Sequence, residues 1–201
     1  MKKKSIHKAC RRYGVKLCQT DKCPVVKRSY PPGVHGPKGA RKLTEYGRQL
    51  AEKQKAKITY GLREKQFRNY FDKAFKKVGN TSEILFASLE SRLDNVIYRL
   101  GLGKTRTQAR QLVGHGHFAV NGKKVDIPSF QVKVGDVINI REKSRSAKIF
   151  TNLAESLKNK EKMSWLDLDE KELTGKVVSR PKLGDAEVNV DWRMIVEFYS
   201  K

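Results

Sequence analysis

The chain has 201 residues and carries 44 Lys and Arg against 21 Asp and Glu, for a formal net charge of +23. An excess of this size calls for a polyanionic partner, because each phosphate neutralised by Lys or Arg releases condensed counterions. No apolar run approaches the roughly 18 residues that span a bilayer, and the basic start MKKKSIHKAC has no apolar signal-peptide core, so neither a membrane partner nor export is expected.

The charge is unevenly spread. Residues 1–77 carry +18, residues 91–145 carry +7, and residues 146–201 carry none. The N-terminal part is therefore the main electrostatic footprint, and the C-terminal part reads as packing or protein contact.

Residues 1–42 are rich in Lys, Arg, Gly and Pro, with turn signals at Tyr30-Pro31-Pro32-Gly33 and from His35 to Gly39. Such an arm buries little by itself and needs metal, RNA or both to order it. All three cysteines fall here, at Cys10, Cys18 and Cys23. An odd, clustered set points to metal more than to disulfides and suits a reducing cytoplasm.

Residues 44–77 read as two helices broken at Gly61. Thr44 is a plausible N-cap of the first, which carries Tyr46, Leu50 and Ile58. The second places Phe67, Tyr70, Phe71, Ala74 and Phe75 at helical spacing, as core. It leaves Arg63, Lys65, Arg68, Lys73, Lys76 and Lys77 for the outside.

One continuous helix is expected over residues 82–100, on the stripe Leu85, Phe86, Leu89, Leu93, Val96, Ile97 and Leu100, with Gly101 as its stop. A short helix follows, with Thr105 and Gln108 at capping-box spacing and Gly114 at its end. Asn121-Gly122 between Phe118-Ala119-Val120 and Val125 marks a hairpin, and Gly135-Asp136 turns into the strand Val137, Ile138 and Ile140. Residues 146–170 are read as an amphipathic helix with Ile149, Leu153 and Leu157, then a loop carrying Trp165. The apolar end, Met194 to Tyr199, is expected to dock back on the core.

The helix–helix–hairpin unit presents a basic face. Arg106 and Arg110 are four apart on the short helix, Gln108 and Gln111 are polar neighbours, and Lys104, His115, His117, Lys123 and Lys124 surround the same end. Such a face can grip phosphates and read RNA shape. The two histidines could also be a metal pair or catalytic bases, but no carboxylate or nucleophile accompanies them.

The run from Ser91 to Gly101, the segment Thr105 to Val113, His115-Gly116-His117 and Val120-Asn121-Gly122 resemble the RNA-binding module named after ribosomal protein S four. Tyr30 to Gly36, Glu64 to Phe71 and Val196 to Lys201 narrow the resemblance to the bacterial-type S four family of the small ribosomal subunit, over essentially the whole chain. The resemblance implies a primary binder of small-subunit (16S) rRNA at a multi-helix junction of the 5′ domain, which nucleates assembly of the subunit body. It also implies contact with ribosomal protein S five, a place lining the path along which mRNA enters, a contribution to translational accuracy, and in some members repression of their own mRNA. Lys38, Arg41 and Lys42 match the family's mRNA-path segment.

Some members carry a four-cysteine zinc knuckle spaced C-x2-C and C-x4-C. Here His7-x2-Cys10 and Cys18-x4-Cys23 keep both spacings, with His in place of the first Cys and a shorter linker between the halves. A Cys₃His set suits structural Zn2+, with no open position for catalysis.

Two rivals remain at this point. Pseudouridine synthases use the same module and a catalytic Arg-Leu-Asp stretch, which Arg92-Leu93-Asp94 matches; on the ribosomal reading Asp94 is a helix-surface carboxylate paired with a local cation, and the chain lacks room for a catalytic domain. A free regulatory RNA- or DNA-binding protein would share the charge. The expectation is a non-enzymatic α+β protein without a small-molecule substrate. It comprises a basic arm at 1–42, a helical domain at 43–90 joined by 187–201, and an RNA-binding domain with its extension at 91–186, whose core is 91–145.

Overall fold

A computed structural model describes residues 6–20, 22–39, 42–145, 147–151, 163–169 and 172–200. The chain forms two units, Met1–Ile84 with Ala186–Lys201, and Leu85–Asp185. The first is helical and the second combines helices with a five-stranded antiparallel sheet, so the fold is α+β. Among the described residues no helix is long and apolar enough to cross a membrane.

In the first unit the basic arm holds α1 (Ile6–Tyr13), α2 (Pro24–Lys27) and a 3-10 turn (Gly36–Lys38). Helix α3 (Glu45–Thr59) starts where expected: Thr44 Oγ1 accepts from the Gly47 amide at 3.1 Å, satisfying a donor the helix leaves open. Helix α4 (Glu64–Phe75) follows a left-handed Gly61 at φ +62°.

The last helix, α10 (Trp192–Ser200), lies against α3. Tyr46 meets Phe198 and Tyr60 meets Trp192, at ring separations of 5.5 and 6.4 Å. The buried Lys53 places Nζ 4.4 Å from the Phe198 ring and 2.8 Å from Glu64 Oε1. Of the five core positions expected on α4, Phe67, Phe71 and Ala74 are buried and Tyr70 is half-buried, but Phe75 is 59% exposed. Tyr199 of α10 reaches Phe67 and Phe71, and the cover ends one turn short of Phe75.

The expected single helix over 82–100 is two helices, α5 (Thr81–Glu90), in which the division between units falls, and α6 (Leu93–Leu100). All seven predicted apolar positions are buried, so the stripe was read correctly and the break was not. The break comes from a distant segment. Leu93 and Asp94 amides donate to the Phe130 and Pro128 carbonyls at 2.9 and 3.2 Å, and the Val132 amide donates to Ser91 O at 2.9 Å. With Arg92 bridged to Gln131, these bonds hold Arg92 extended, where no Gly or Pro announces an interruption. Just beyond, Arg99 Nε and its terminal nitrogen donate to the buried Glu90 carboxylate at 2.8 and 2.9 Å, and Asn95 Nδ2 adds a third bond at 2.8 Å. Removing one partner of such a buried pair costs about 3–5 kcal/mol.

Helix α7 (Arg106–Gly114) is capped by Thr105 Oγ1, which accepts from the Gln108 amide at 3.1 Å. Strands β1 (Phe118–Val120) and β2 (Lys123–Lys124) form the expected hairpin. Asn121 and Gly122 have φ of 50° and 77°, as the favoured two-residue turn requires. Strand β3 (Val137–Ile140) pairs with β1, setting Phe118 against Ile140.

The region after β3 differs from expectation. It contains α8 (Glu142–Arg145), α9 (Lys148–Thr151), β4 (Leu166–Asp169) and β5 (Thr174–Val177), giving the strand order β2-β1-β3-β5-β4. Phe150 is buried there while Ile149 is exposed, so the predicted face of the 146–170 helix is wrong at Ile149; Leu153 and Leu157 lie outside the described residues. Trp165 lies in a turn immediately before β4, as expected, and is a buried core residue. Gly175 pairs with Ile138, and a Cβ at that position would fall on Leu100 Cδ1. The absent side chain lets α6 approach the sheet.

Candidate metal centre and nucleic-acid interface

The arm draws its chemistry-bearing residues together. Ligand atoms of His7, Cys18 and Cys23 all lie within 4.8 Å of one another. His7 Nδ1 is buried and has no hydrogen-bond partner among the described residues. Cys10 packs with Cys18 and Cys23, but its sulfur is not among the ligand atoms that all lie within 4.8 Å of one another, and it accepts from the Leu17 amide at 3.3 Å. None of the three thiols is in a disulfide.

Burial pushes the Cys10 thiol up to about 11, with the adjacent thiols adding to the rise against the Leu17 and Cys18 amides. Burial also opposes ionisation of Cys18, but the Thr20 hydroxyl, 3.3 Å from its sulfur, and the neighbouring thiols outweigh it and bring Cys18 down to about 7. A buried imidazole nitrogen without a hydrogen-bond partner among the described residues, beside two thiols of which one ionises readily, gives three ligands of the kind that zinc takes.

The turn-rich motif between Tyr30 and Gly36 is fastened to this arm. Arg11 donates to the Tyr30 and Pro31 carbonyls, both at 3.2 Å, and lies 4.8 Å over the Tyr30 ring. Gly36 is buried against that loop, where a Cβ would fall on the Pro31 carbonyl oxygen. Lys38 and Lys42 are exposed nearby in sequence, and Arg41 lies outside the described residues. On α4, Lys65 and Arg68 are exposed, as is Arg63 at its N-cap.

In the second unit the predicted basic set divides. Lys104, Arg110, Gln111, His115, Lys123 and Lys124 are exposed. Arg106, Gln108 and His117 turn inward. Arg106 donates to Asn95 Oδ1 at 2.8 Å and stacks 4.4 Å over Tyr98. Gln108 Oε1 accepts from the Lys104 amide at 2.9 Å, which closes the start of α7. His117 Nδ1 sits 3.0 Å from Ser144 Oγ, and its ring meets Phe150 edge-on at 5.7 Å. Burial lowers the His117 pKa, helped by the His115 and Arg141 charges. The i, i+4 spacing did put both arginines on one side of α7, but that side faces α6: Arg110 lies 3.7 Å from Asp94 with its side chain still 43% exposed.

Asp94 is not on the surface as expected. It is buried, and Arg92 grips both of its oxygens at 3.1 and 2.8 Å. The pairing with a local cation is as anticipated. Three features carried no sequence signal: the Arg11 clasp, the inward turn of Arg106, and the exposed end of α4 at Phe75 and Val78.

This is the architecture of a ribosomal protein with an S4 domain: residues 1–90 match the family described as ribosomal protein S4/S9 N-terminal domain, and residues 91–138 match the S4 domain. The chain is 52% identical over 198 residues to the small ribosomal subunit protein uS4 of Acetivibrio thermocellus, covering 96% of this chain and 95% of that one. It is 54% identical over 200 residues to uS4A of Clostridium perfringens, with 96% of each covered, and 52% identical over 203 residues to uS4A of Alkaliphilus oremlandii, with 98% and 97% covered. The chain belongs to the uS4 family of small ribosomal subunit proteins.

Proposed function

We propose that this chain is a structural, non-enzymatic constituent of the small ribosomal subunit in the cytoplasm, and that it binds the 16S rRNA directly at a junction of the 5′ domain. The observation that supports this is the exposure of Lys104, Arg110, Lys123 and Lys124, with Gln111 and His115, within the S4 domain. Phosphate neutralisation supplies affinity, and the rigid helix–hairpin frame supplies shape recognition. Arg106, Gln108 and His117 serve the same surface by holding α6, α7 and α8 in register beneath it.

The work divides among three segments: the arm at 1–42, the helical domain at 43–90 with 187–201, and the RNA-binding domain and extension at 91–186. Arg63, Lys65 and Arg68 add phosphate contacts from α4. Lys38, Arg41 and Lys42 line the path of incoming mRNA, which gives the protein its part in accuracy. Early rRNA binding nucleates the subunit body, ribosomal protein S five is a neighbour, and free protein represses translation of its own mRNA. His7, Cys10, Cys18 and Cys23 hold structural Zn2+, which fixes the arm so that its cations meet RNA pre-ordered.

Two measurements test the core of this reading. The protein should remain with salt-washed small subunits, and should bind a transcript of the 5′ domain with a steep negative dependence on salt. A protein recovered only in the free pool, or turnover of uridine to pseudouridine in rRNA transcripts, rejects it.

A further inference from the structure

The rings around α4 form an ordered series. Phe67 and Tyr199 are 6.3 Å apart at 30°, Tyr199 and Phe71 are 4.8 Å apart at 29°, and Phe71 and Phe75 are 5.7 Å apart at 24°. The first three rings are buried or half-buried, and the series ends in solvent at Phe75. Phe71 is the ring neighbour of Phe75 among the described residues. Lys73, Lys76 and Lys77 are exposed within two residues of it in sequence, and the exposed Asp72 lies three residues before it, on its side of α4. Val78, three residues on, is fully exposed.

We infer that Phe75 is a stacking platform for an unpaired RNA base, with Lys73, Lys76 and Lys77 gripping the adjoining phosphates. This rests on the RNA-binding reading above and adds a base contact to the phosphate contacts given there to α4. Aromatic side chains beside basic ones are how proteins hold unstacked bases, since every base offers a π-face and every nucleotide a phosphate. The Phe71 ring lies near-parallel to Phe75 at 5.7 Å and leaves it 59% exposed to an incoming base. The lysines favour RNA over a protein partner. Lysine is depleted at protein–protein interfaces, whereas three exposed lysines within two residues of the ring supply cations that a flexible side chain can bring to neighbouring phosphates.

The experiment compares full-length wild type, Phe75→Ala, Phe75→Leu, Phe75→Trp and the triple Lys73→Ala/Lys76→Ala/Lys77→Ala chain for affinity to a small-subunit rRNA 5′-domain transcript across a salt series. Phe75→Ala and Phe75→Leu should each weaken binding by about 5- to 150-fold with the salt slope unchanged, and Phe75→Trp should bind at least as tightly as wild type. The triple variant should lower the slope by about 2. Leucine retains an apolar contact with Phe71, so its loss separates stacking from loss of fold. Phe75→Ala or Phe75→Leu binding as wild type overturns the platform. So does a defect that appears only when other subunit proteins are added, which would make Phe75 a protein contact. Wild type failing to bind the transcript overturns the RNA-binding reading as a whole, an outcome visible before any variant is compared.

Discussion

Arg106 Nε lies 2.8 Å from Asn95 Oδ1, so an arginine at the start of α7 is tied to a buried amide on α6. The same Asn95 donates through Nδ2 to Glu90, which also receives Arg99. A residue that faces the RNA side by spacing is thereby part of the frame behind it.

Arg106 and Arg110 should consequently fail in different ways. Arg106→Ala should lower the unfolding free energy by about 1.5–3 kcal/mol, the worth of a hydrogen bond to a charged group, and weaken rRNA binding by a similar factor at every salt concentration. Arg110→Ala should leave stability within about 0.5 kcal/mol and reduce the salt slope by about 1. Urea melts and salt-series binding on both chains check this; an unchanged slope for Arg110→Ala removes it from the interface.

The metal centre is checked by elemental analysis. The purified chain should carry zinc in a one-to-one ratio, and Cys18→Ser should lower it. Strong chelation should strip hydrogen-exchange protection from α1 and α2 and leave the sheet of the second unit unchanged. A metal-free chain with a fully protected arm would reduce His7, Cys10, Cys18 and Cys23 to packing.

Gly36→Ala should disrupt the Tyr30–Gly36 loop, because the new Cβ falls on a backbone oxygen that no rotamer change can clear. A cost of about 1–3 kcal/mol is expected, with faster exchange of the Lys38 and Gly39 amides, which bond to His35 and Gly36 carbonyls. Gly33→Ala is a poor control, since Gly33 needs its φ of +112°; Pro37→Ala, which keeps its side chain in solvent, is a better one.

Glu64 makes the helical unit sensitive to acid. Burial opposes its ionisation, but hydrogen bonds from Lys53, Lys57 and Tyr199 prevail and hold the carboxyl at about 2, against an ordinary 4.5. A folded pKa below the unfolded one stabilises the fold above the unfolded value, and the gain is lost as pH falls from about 4.5 towards 2. Glu64 is half-exposed, so solvent screening keeps the effect modest. Thermal melts should show Glu64→Gln with a shallower loss of Tm across that window than wild type.

Much of the architecture was legible because local physics announced it: the Thr44 and Thr105 caps, the Asn121-Gly122 turn, and the apolar stripe from Leu85 to Leu100. What escaped was imposed from far along the chain. The interruption at Arg92 is held by the segment from Pro128 to Val132, and Gly175 enters a strand because Leu100 occupies the space its side chain would need. The strand Leu166-Asp167-Leu168-Asp169 alternates but is short, and its partner begins Thr174-Gly175, so neither stood out. In the arm, the spacing groups His7, Cys10, Cys18 and Cys23, and ligand atoms of His7, Cys18 and Cys23 lie within 4.8 Å of one another. At the basic face, spacing gave the side of α7 but could not say that α6 lies against it.

Helix α10 also sets an order of events during synthesis. The rings of α3 and α4 find their cover on residues 192–200, which are synthesised after the unit from Leu85 to Asp185. At about 5–20 residues per second, the S4-domain unit is synthesised roughly 1–3 s before the helical unit is completed. A nascent chain therefore presents its helix–hairpin surface to RNA before it presents Phe75 on a finished ring series, and termination between Asp185 and Trp192 would yield a product with one working unit.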